Sequence, residues 1–144
     1  MVTEGIRPFA RALFLCDYVI GYENGKTDLY GLFNAIQPRS YPHKQERFCV
    51  FAQLVGGLGE VPFFVDVIFR PRNELVRTTE VQQLRFRDRE MVVQMSLEIQ
   101  GCPFPEPGLY LLELYCDNVC VADVPLRLLE GEENHEYEPS AGQP

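Results

Sequence analysis

Residues 106–128 read Glu106-Pro107-Gly108-Leu109-Tyr110-Leu111-Leu112-Glu113-Leu114-Tyr115-Cys116-Asp117-Asn118-Val119-Cys120-Val121-Ala122-Asp123-Val124-Pro125-Leu126-Arg127-Leu128. This is the pattern of a closing β-hairpin with a tyrosine corner at its entrance. Pro107-Gly108 makes a turn, so Gly108 is a structural position. Tyr110 follows at the start of a strand, where its ring enters a core while its hydroxyl bonds backbone upstream. Asp117-Asn118 supplies a two-residue turn, because both residues tolerate positive φ.

A two-residue turn pairs Cys116 with Val119 and Tyr115 with Cys120, and directly opposed residues share a face. The register therefore assigns Tyr110, Leu112, Leu114, Cys116, Val119 and Val121 to the core. It turns Leu109, Leu111, Glu113, Tyr115, Cys120 and Ala122 outward. Strict alternation beyond that point would bury Asp123 and expose Leu126 and Leu128. A bulge near residues 123–125 resolves the conflict, and proline is tolerated there.

Upstream, short apolar runs recur between turn signals, as in a sandwich or barrel. Residues 9–19 form a first strand candidate. Asn24-Gly25 signals a hairpin, with residues 27–36 returning. Residues 37–46, with Pro38 and Pro42, read as a loop, and residues 47–55 as a third strand. In residues 62–70, Phe63, Val65, Val67 and Phe69 share one face. In residues 91–100, Met91, Val93, Met95, Leu97 and Ile99 oppose Gln94, Ser96, Glu98 and Gln100, an antiparallel strand with one wet face. Residues 73–86 follow neither period and are assigned as an edge strand. The expectation is an all-β, antiparallel, immunoglobulin-like β-sandwich of about seven to nine strands.

Composition supports a packed domain. The chain has 144 residues, 46% of them hydrophobic, with 10 Phe and 7 Tyr. That length buries most apolar surface without disulfides. Net charge is -8, which disfavours nucleic acid and anionic membrane as partners, because phosphates demand a basic surface. No run approaches the roughly 18 apolar residues that span a bilayer. The first residues lack a signal peptide's order of basic head, apolar middle and small cleavage site. Five cysteines cannot all pair within one chain, and free cysteine behaves as a small buried hydrophobe in a reducing compartment. The expected location is the cytoplasm. Residues 131–144 are acidic and rich in breakers, so a disordered tail is expected after a domain over residues 5–130.

Two blocks together resemble a family of small, uncharacterised bacterial proteins known as a domain of unknown function. One block is Pro8-Phe9-Ala10-Arg11-Ala12-Leu13-Phe14-Leu15-Cys16-Asp17, followed by Gly25-Lys26 and Leu29-Tyr30-Gly31-Leu32-Phe33. The other is the Pro-Gly-x-Tyr hairpin. The resemblance implies a β-sandwich and transfers no catalytic residue. The hairpin is also similar to the end of many immunoglobulin-like domains, which bears on architecture alone.

Candidate chemistry is sparse. Gly56-Gly57-Leu58-Gly59 lacks the Lys-Ser/Thr and the following helix of a phosphate cradle, and reads as a strand connection. Cys116 and Cys120 fall on opposite faces and cannot chelate together. A Cys49–His43 nucleophile pair needs the two within hydrogen-bond reach, and His43 reads as a loop residue. Asp17, Asp66, Asp117 and Asp123 do not cluster as calcium ligands. Arg70, Arg72, Arg77, Arg85, Arg87 and Arg89 concentrate positive charge. They read as protection of a sheet edge, with docking of an acidic partner or the tail as the other use. No cofactor, metal or catalytic residue is assigned.

One feature points to interaction. Residues 47–55 carry Phe48, Val50, Ala52 and Leu54 on one face and Cys49, Phe51 and Val55 on the other. If that strand neighbours the last hairpin, Phe51, Leu111 and Tyr115 form an outward apolar patch, unless another segment covers it. The expected function is a non-catalytic binding module that engages a protein partner or a second copy through a sheet face. A small-molecule, carbohydrate or calcium-binding sandwich is the alternative, and an enzyme ranks last.

Overall fold

In the computed structural model, which describes residues 5–130, two sheets pack face to face around one core. In chain order the strands are β1 (Phe9–Cys16), β2 (Tyr18–Gly21), β3 (Thr27–Tyr30), β4 (Ala35–Ile36), β5 (His43–Val55), β6 (Gly59–Phe69), β7 (Glu74–Thr78), β8 (Gln82–Phe86), β9 (Val92–Phe104), β10 (Gly108–Cys116) and β11 (Val119–Leu128). The smaller sheet has the order β1-β5-β9. The larger has the order β4-β11-β10-β6, with β7 and β8 both on the free side of β6. All pairings are antiparallel except the short one between β4 and β11. The fold is the expected all-β sandwich. The expected strand number is exceeded by short pieces: β2, β3 and β4, and an edge strand split into β7 and β8. The acidic tail expected from residue 131 lies outside the described residues. Among the described residues, no helix is long and apolar enough to cross a membrane.

The alternating segments form strands as their pattern requires. Phe63, Val65, Val67 and Phe69 of β6 and Tyr110, Leu112, Leu114 and Cys116 of β10 are buried on the inner face of the larger sheet. Phe48, Val50, Ala52 and Leu54 of β5, with Met95, Leu97 and Ile99 of β9, supply the facing layer. Residues 73–86 do form an edge on β6. Val65 bonds Thr79 through both its backbone groups, and the ladder on β6 is broken by a bulge at Val76 and by the three residues between β7 and β8. Those breaks are why neither period fits the segment.

The tyrosine corner is present. The Tyr110 ring is fully buried, 4.9 Å from Phe69 and edge-on to Phe104 at 5.0 Å. Its hydroxyl donates to the Glu106 carbonyl oxygen at 2.7 Å. Gly108 has φ +137°, and a Cβ there would stand 3.1 Å from the Phe69 ring. The turn thus needs glycine for its backbone and for its packing. Asp117 and Asn118 have φ of 54° and 64°, as a two-residue hairpin turn demands.

Three local expectations change. The β10–β11 bulge falls at Val121, because Leu114 opposes Ala122 while Tyr115 opposes Cys120. It therefore sits closer to the turn than residues 123–125. It still performs the inferred task, since Leu126 and Leu128 become buried and Asp123 exposed. Val119 lies outside the core, and Val121 sits at its margin. The first hairpin also differs. The chain breaks at Asp17, whose N–H donates to the Tyr30 carbonyl, so β1 ends at Cys16. β2 and β3 then form a separate two-stranded ribbon.

Replacing Tyr110 separates its two roles. Tyr110→Ala removes a fully buried aromatic and should cost on the order of 3 kcal/mol or more. Tyr110→Phe loses only the hydroxyl contact and should cost about 1 kcal/mol. Urea unfolding of the three proteins checks both values; wild-type stability in Tyr110→Ala would contradict the anchor role.

Candidate functional site on the outer face of the larger sheet

With Tyr110, Leu112 and Leu114 held inward, alternation directs Leu109, Leu111, Glu113 and Tyr115 outward from β10. Cross-strand register groups these with neighbours into rows. Leu111 lies between Ile68 of β6 and Pro125 of β11, and Ile68 is opposed in turn by Leu75 of β7. Leu75 is 51% exposed and Leu109 40%. On one side of this apolar row, Leu109 opposes Arg127, and Arg70 follows the Phe69 that opposes Tyr110. On the other side, Glu113 stands between Asp66 and Asp123. Beyond it, Tyr115 stacks on Phe64 at 5.0 Å with the rings parallel to 2°.

The acidic row is only partly compensated. Tyr115 donates its hydroxyl to Glu113 Oε1 at 3.0 Å, and Thr78 donates to Asp66. The bond to Glu113 is the main reason that the Tyr115 phenol is pushed up to about 12. Among the described residues, no ion pair engages Asp66, Glu113 or Asp123, nor Arg70 or Arg127. Like charges directly abreast on adjacent strands cost stability. The face is therefore striped as basic, apolar, acidic and aromatic.

The three residues expected to form one patch are divided. Leu111 and Tyr115 share this face. Phe51 belongs to the smaller sheet, where it opposes Phe14 and Ser96, and only 6% of it is exposed. The expected adjacency fails because β5 and β10 lie in different sheets. The outer side of β5 is covered near Cys49 by the β2–β3 ribbon. Val19 backbone reaches the Cys49 thiol, and Thr27 Oγ1 donates to Gln94 Oε1 at 2.6 Å.

The remaining candidates resolve as structural parts. Gly56 and Gly59 have positive φ and turn β5 into β6, while Gly57 lies under the Phe86 ring, leaving no room for a Cβ. No helix follows them. His43 is the first residue of β5 rather than a loop residue, and its Nε2 meets Gln45 Oε1 at 2.8 Å. Six residues along one strand separate it from Cys49, about 20 Å, so no nucleophile pair exists. Among the described residues, no three His, Cys, Asp or Glu side chains converge closely enough to hold a metal ion. Arg77, Arg85, Arg87 and Arg89 lie along or just beyond the β7–β8 edge. Arg77 donates to the Gln100 carbonyl and Arg89 to that of Gly56. An open groove of about 330 Å³ runs between β1 and β11, lined by Leu13, Phe14, Leu15, Leu32, Phe33, Asn34 and Val124.

All five cysteines are free thiols. Burial pushes Cys116 up to about 11 and Cys102 to about 12, and it also raises Cys16 and Cys49. Such groups are protonated at neutral pH and therefore poor nucleophiles.

Comparison with known proteins places the chain in a family. It belongs to the family of unknown function DUF6941, whose model matches residues 11–129. No curated protein matches it. Among solved structures, it is similar to Pseudomonas fluorescens alkylpurine DNA glycosylase AlkC bound to DNA containing an abasic site analog. That likeness has a TM-score of 0.44 at 8% identity, covering 67% of this chain and 27% of that one.

Cys120 alone among the five is exposed. A thiol-alkylating reagent at neutral pH should modify Cys120 within the native protein and the other four only on unfolding. Mass spectrometry of the unfolded, unreduced chain should then count five adducts; three would reveal a disulfide.

Proposed function

We propose that this member of a family of unknown function is a non-catalytic binding module that holds a protein partner on the outer face of its larger sheet. The observation that carries the reading is the row Leu75, Ile68, Leu111 and Pro125, flanked by Leu109 on one side and, beyond the acidic row on the other, by the stacked Phe64–Tyr115 pair. Apolar surface rimmed by charge is what protein interfaces bury. The smaller sheet offers less, because the ribbon occupies part of its outer side. The five thiols suit a reducing compartment, which supports a cytoplasmic setting.

A second reading, binding of a small apolar ligand, is supported by the groove between β1 and β11. Its lining is mostly aliphatic and aromatic, with Asn34 as a polar group.

Affinity capture from the native host should discriminate the two. Leu75→Asp and Leu109→Asp alter exposed positions of the face, so the pair should preserve the fold. Together they should reduce recovery of a bound protein by about tenfold or more, as loss of interface anchors does. Protein recovery undiminished by this pair, with a small apolar molecule that co-purifies with wild type and is lost on Leu32→Asp, would transfer the site to the groove.

A further inference from the structure

The stripes of the outer face fit a second copy of the same face. Consider a two-fold axis lying across the strands at the level of Leu111, between two such faces. The rotation keeps each strand over its own counterpart and reverses its direction. Positions two residues either side of Leu111 then exchange. On β11 these are Arg127 and Asp123, with Pro125 at the centre. Along the line of β6 they are Asp66 and Arg70, the latter one residue past the strand's end at the start of the 3-10 turn Arg70–Arg72, with Ile68 at the centre. Each cation faces a carboxylate of the other copy, and the apolar row packs on itself.

We propose that the protein forms a two-fold homodimer through this face, centred on Leu111 and registered by Arg127–Asp123 and Arg70–Asp66 pairs between subunits. The proposal rests on the reading of the face as a binding surface and names its occupant. Four observations support that choice. The acidic and basic rows lie equally far from the apolar row, which a two-fold interface requires, because one patch serves both subunits. Neither row has an ion-pair partner of its own among the described residues. Directly abreast, Asp66, Glu113 and Asp123 repel one another, and guanidinium groups facing the outer two, Asp66 and Asp123, ease that repulsion, while Glu113 faces Leu109 and keeps its bond from Tyr115. Four strands about 4.8 Å apart and a β10 about 30 Å long give on the order of 600 Å² per subunit. That is somewhat below the roughly 800 Å² of a standard interface, so the dimer should be concentration-dependent.

Overall charge opposes association, since each chain carries -8. Distant charges are screened beyond about 8 Å at physiological salt, whereas the facing rows are in direct contact and attract.

The test is charge exchange on β11, where Asp123 and Arg127 are both exposed. Asp123→Arg sets arginine against the other copy's Arg127. Arg127→Asp sets aspartate against the other copy's Asp123. In sedimentation equilibrium on the full chain, wild type should dimerise, and each single variant should weaken the dimer by about tenfold or more. The double variant Asp123→Arg/Arg127→Asp should restore it. An equimolar mixture of the two single variants should form the mixed dimer although neither associates with itself. Circular dichroism melting confirms that each variant folds. Wild type remaining monomeric to its solubility limit overturns the proposal, as does a dimer insensitive to both substitutions. If wild type is monomeric yet Leu75→Asp/Leu109→Asp still abolishes capture of a different protein, the binding-face reading stands and only the second copy is wrong. If capture is also unchanged, both fail.

Discussion

The burial of Tyr110 is the constraint on which the rest of the larger sheet depends. Its ring packs against Phe69 and Phe104, and its hydroxyl bonds the Glu106 carbonyl four residues upstream. The side chain is thereby fixed in direction as well as depth. Strand side chains alternate with period two, so a slip by one residue would exchange the buried set for the exposed set. Fixing Tyr110 inward fixes Leu112 and Leu114 inward with it. The same act assigns Leu109, Leu111, Glu113 and Tyr115 to solvent. The surface proposed as functional is thus a direct consequence of a core anchor.

Much of this was legible in the chain. The Pro-Gly-x-Tyr entrance and the Asp117-Asn118 turn use local chemistry, and local chemistry can be read from neighbouring letters. The alternation of β6, β9 and β10 is similarly local. What could not be read was adjacency between distant strands. Phe51 looked equivalent to Leu111 because both face away from a core, yet a sandwich has two outer faces. Only the sheet order separates them. The acidic row was missed for the same reason. Asp66 and Glu113 are individually ordinary outward carboxylates, and their conflict appears only when β6 and β10 pair in register. The Val121 bulge was inferred from the change of face it produces, but a change of face does not specify which residue is extra.

The cost of the unpartnered stripe deserves comparison with its neighbours. Elsewhere on the described surface, two arginines are matched locally: Arg47 meets Glu98 at 2.9 Å, and Arg72 meets both Glu74 and Glu106. Such exposed pairs contribute little to stability, typically up to about 1 kcal/mol each. On the outer face opposite charges lie four residues apart along each line, two on either side of an apolar row. A sorted pattern leaves these charges without an ion pair inside one subunit, and a surface carrying the reverse order would supply one.

Three sheet edges are guarded, and a fourth, β9, is met at one point where Arg77 donates to the Gln100 carbonyl. A free strand edge invites pairing with another chain unless it is blocked. The β7–β8 edge is interrupted at residues 79–81 and lined with arginines. The β1 edge is bulged at Arg11 and partly closed by the Phe33 N–H, which donates to the Leu15 carbonyl at 3.1 Å. β4 covers the end of β11 at Arg127 and Leu128, and Pro125 lies just beside that cover. Strand addition is therefore discouraged along these three edges. The apolar side chains of the larger sheet have no comparable guard. Burying them requires contact across the face, and sheets that pack this way keep their strands within about 30° of one another. Near-aligned strands preserve the row-on-row correspondence of Arg127 with Asp123 and of Arg70 with Asp66. A crossed packing would leave Leu111 on the axis but carry Ile68 and Pro125 off the apolar row and the arginines off their carboxylates.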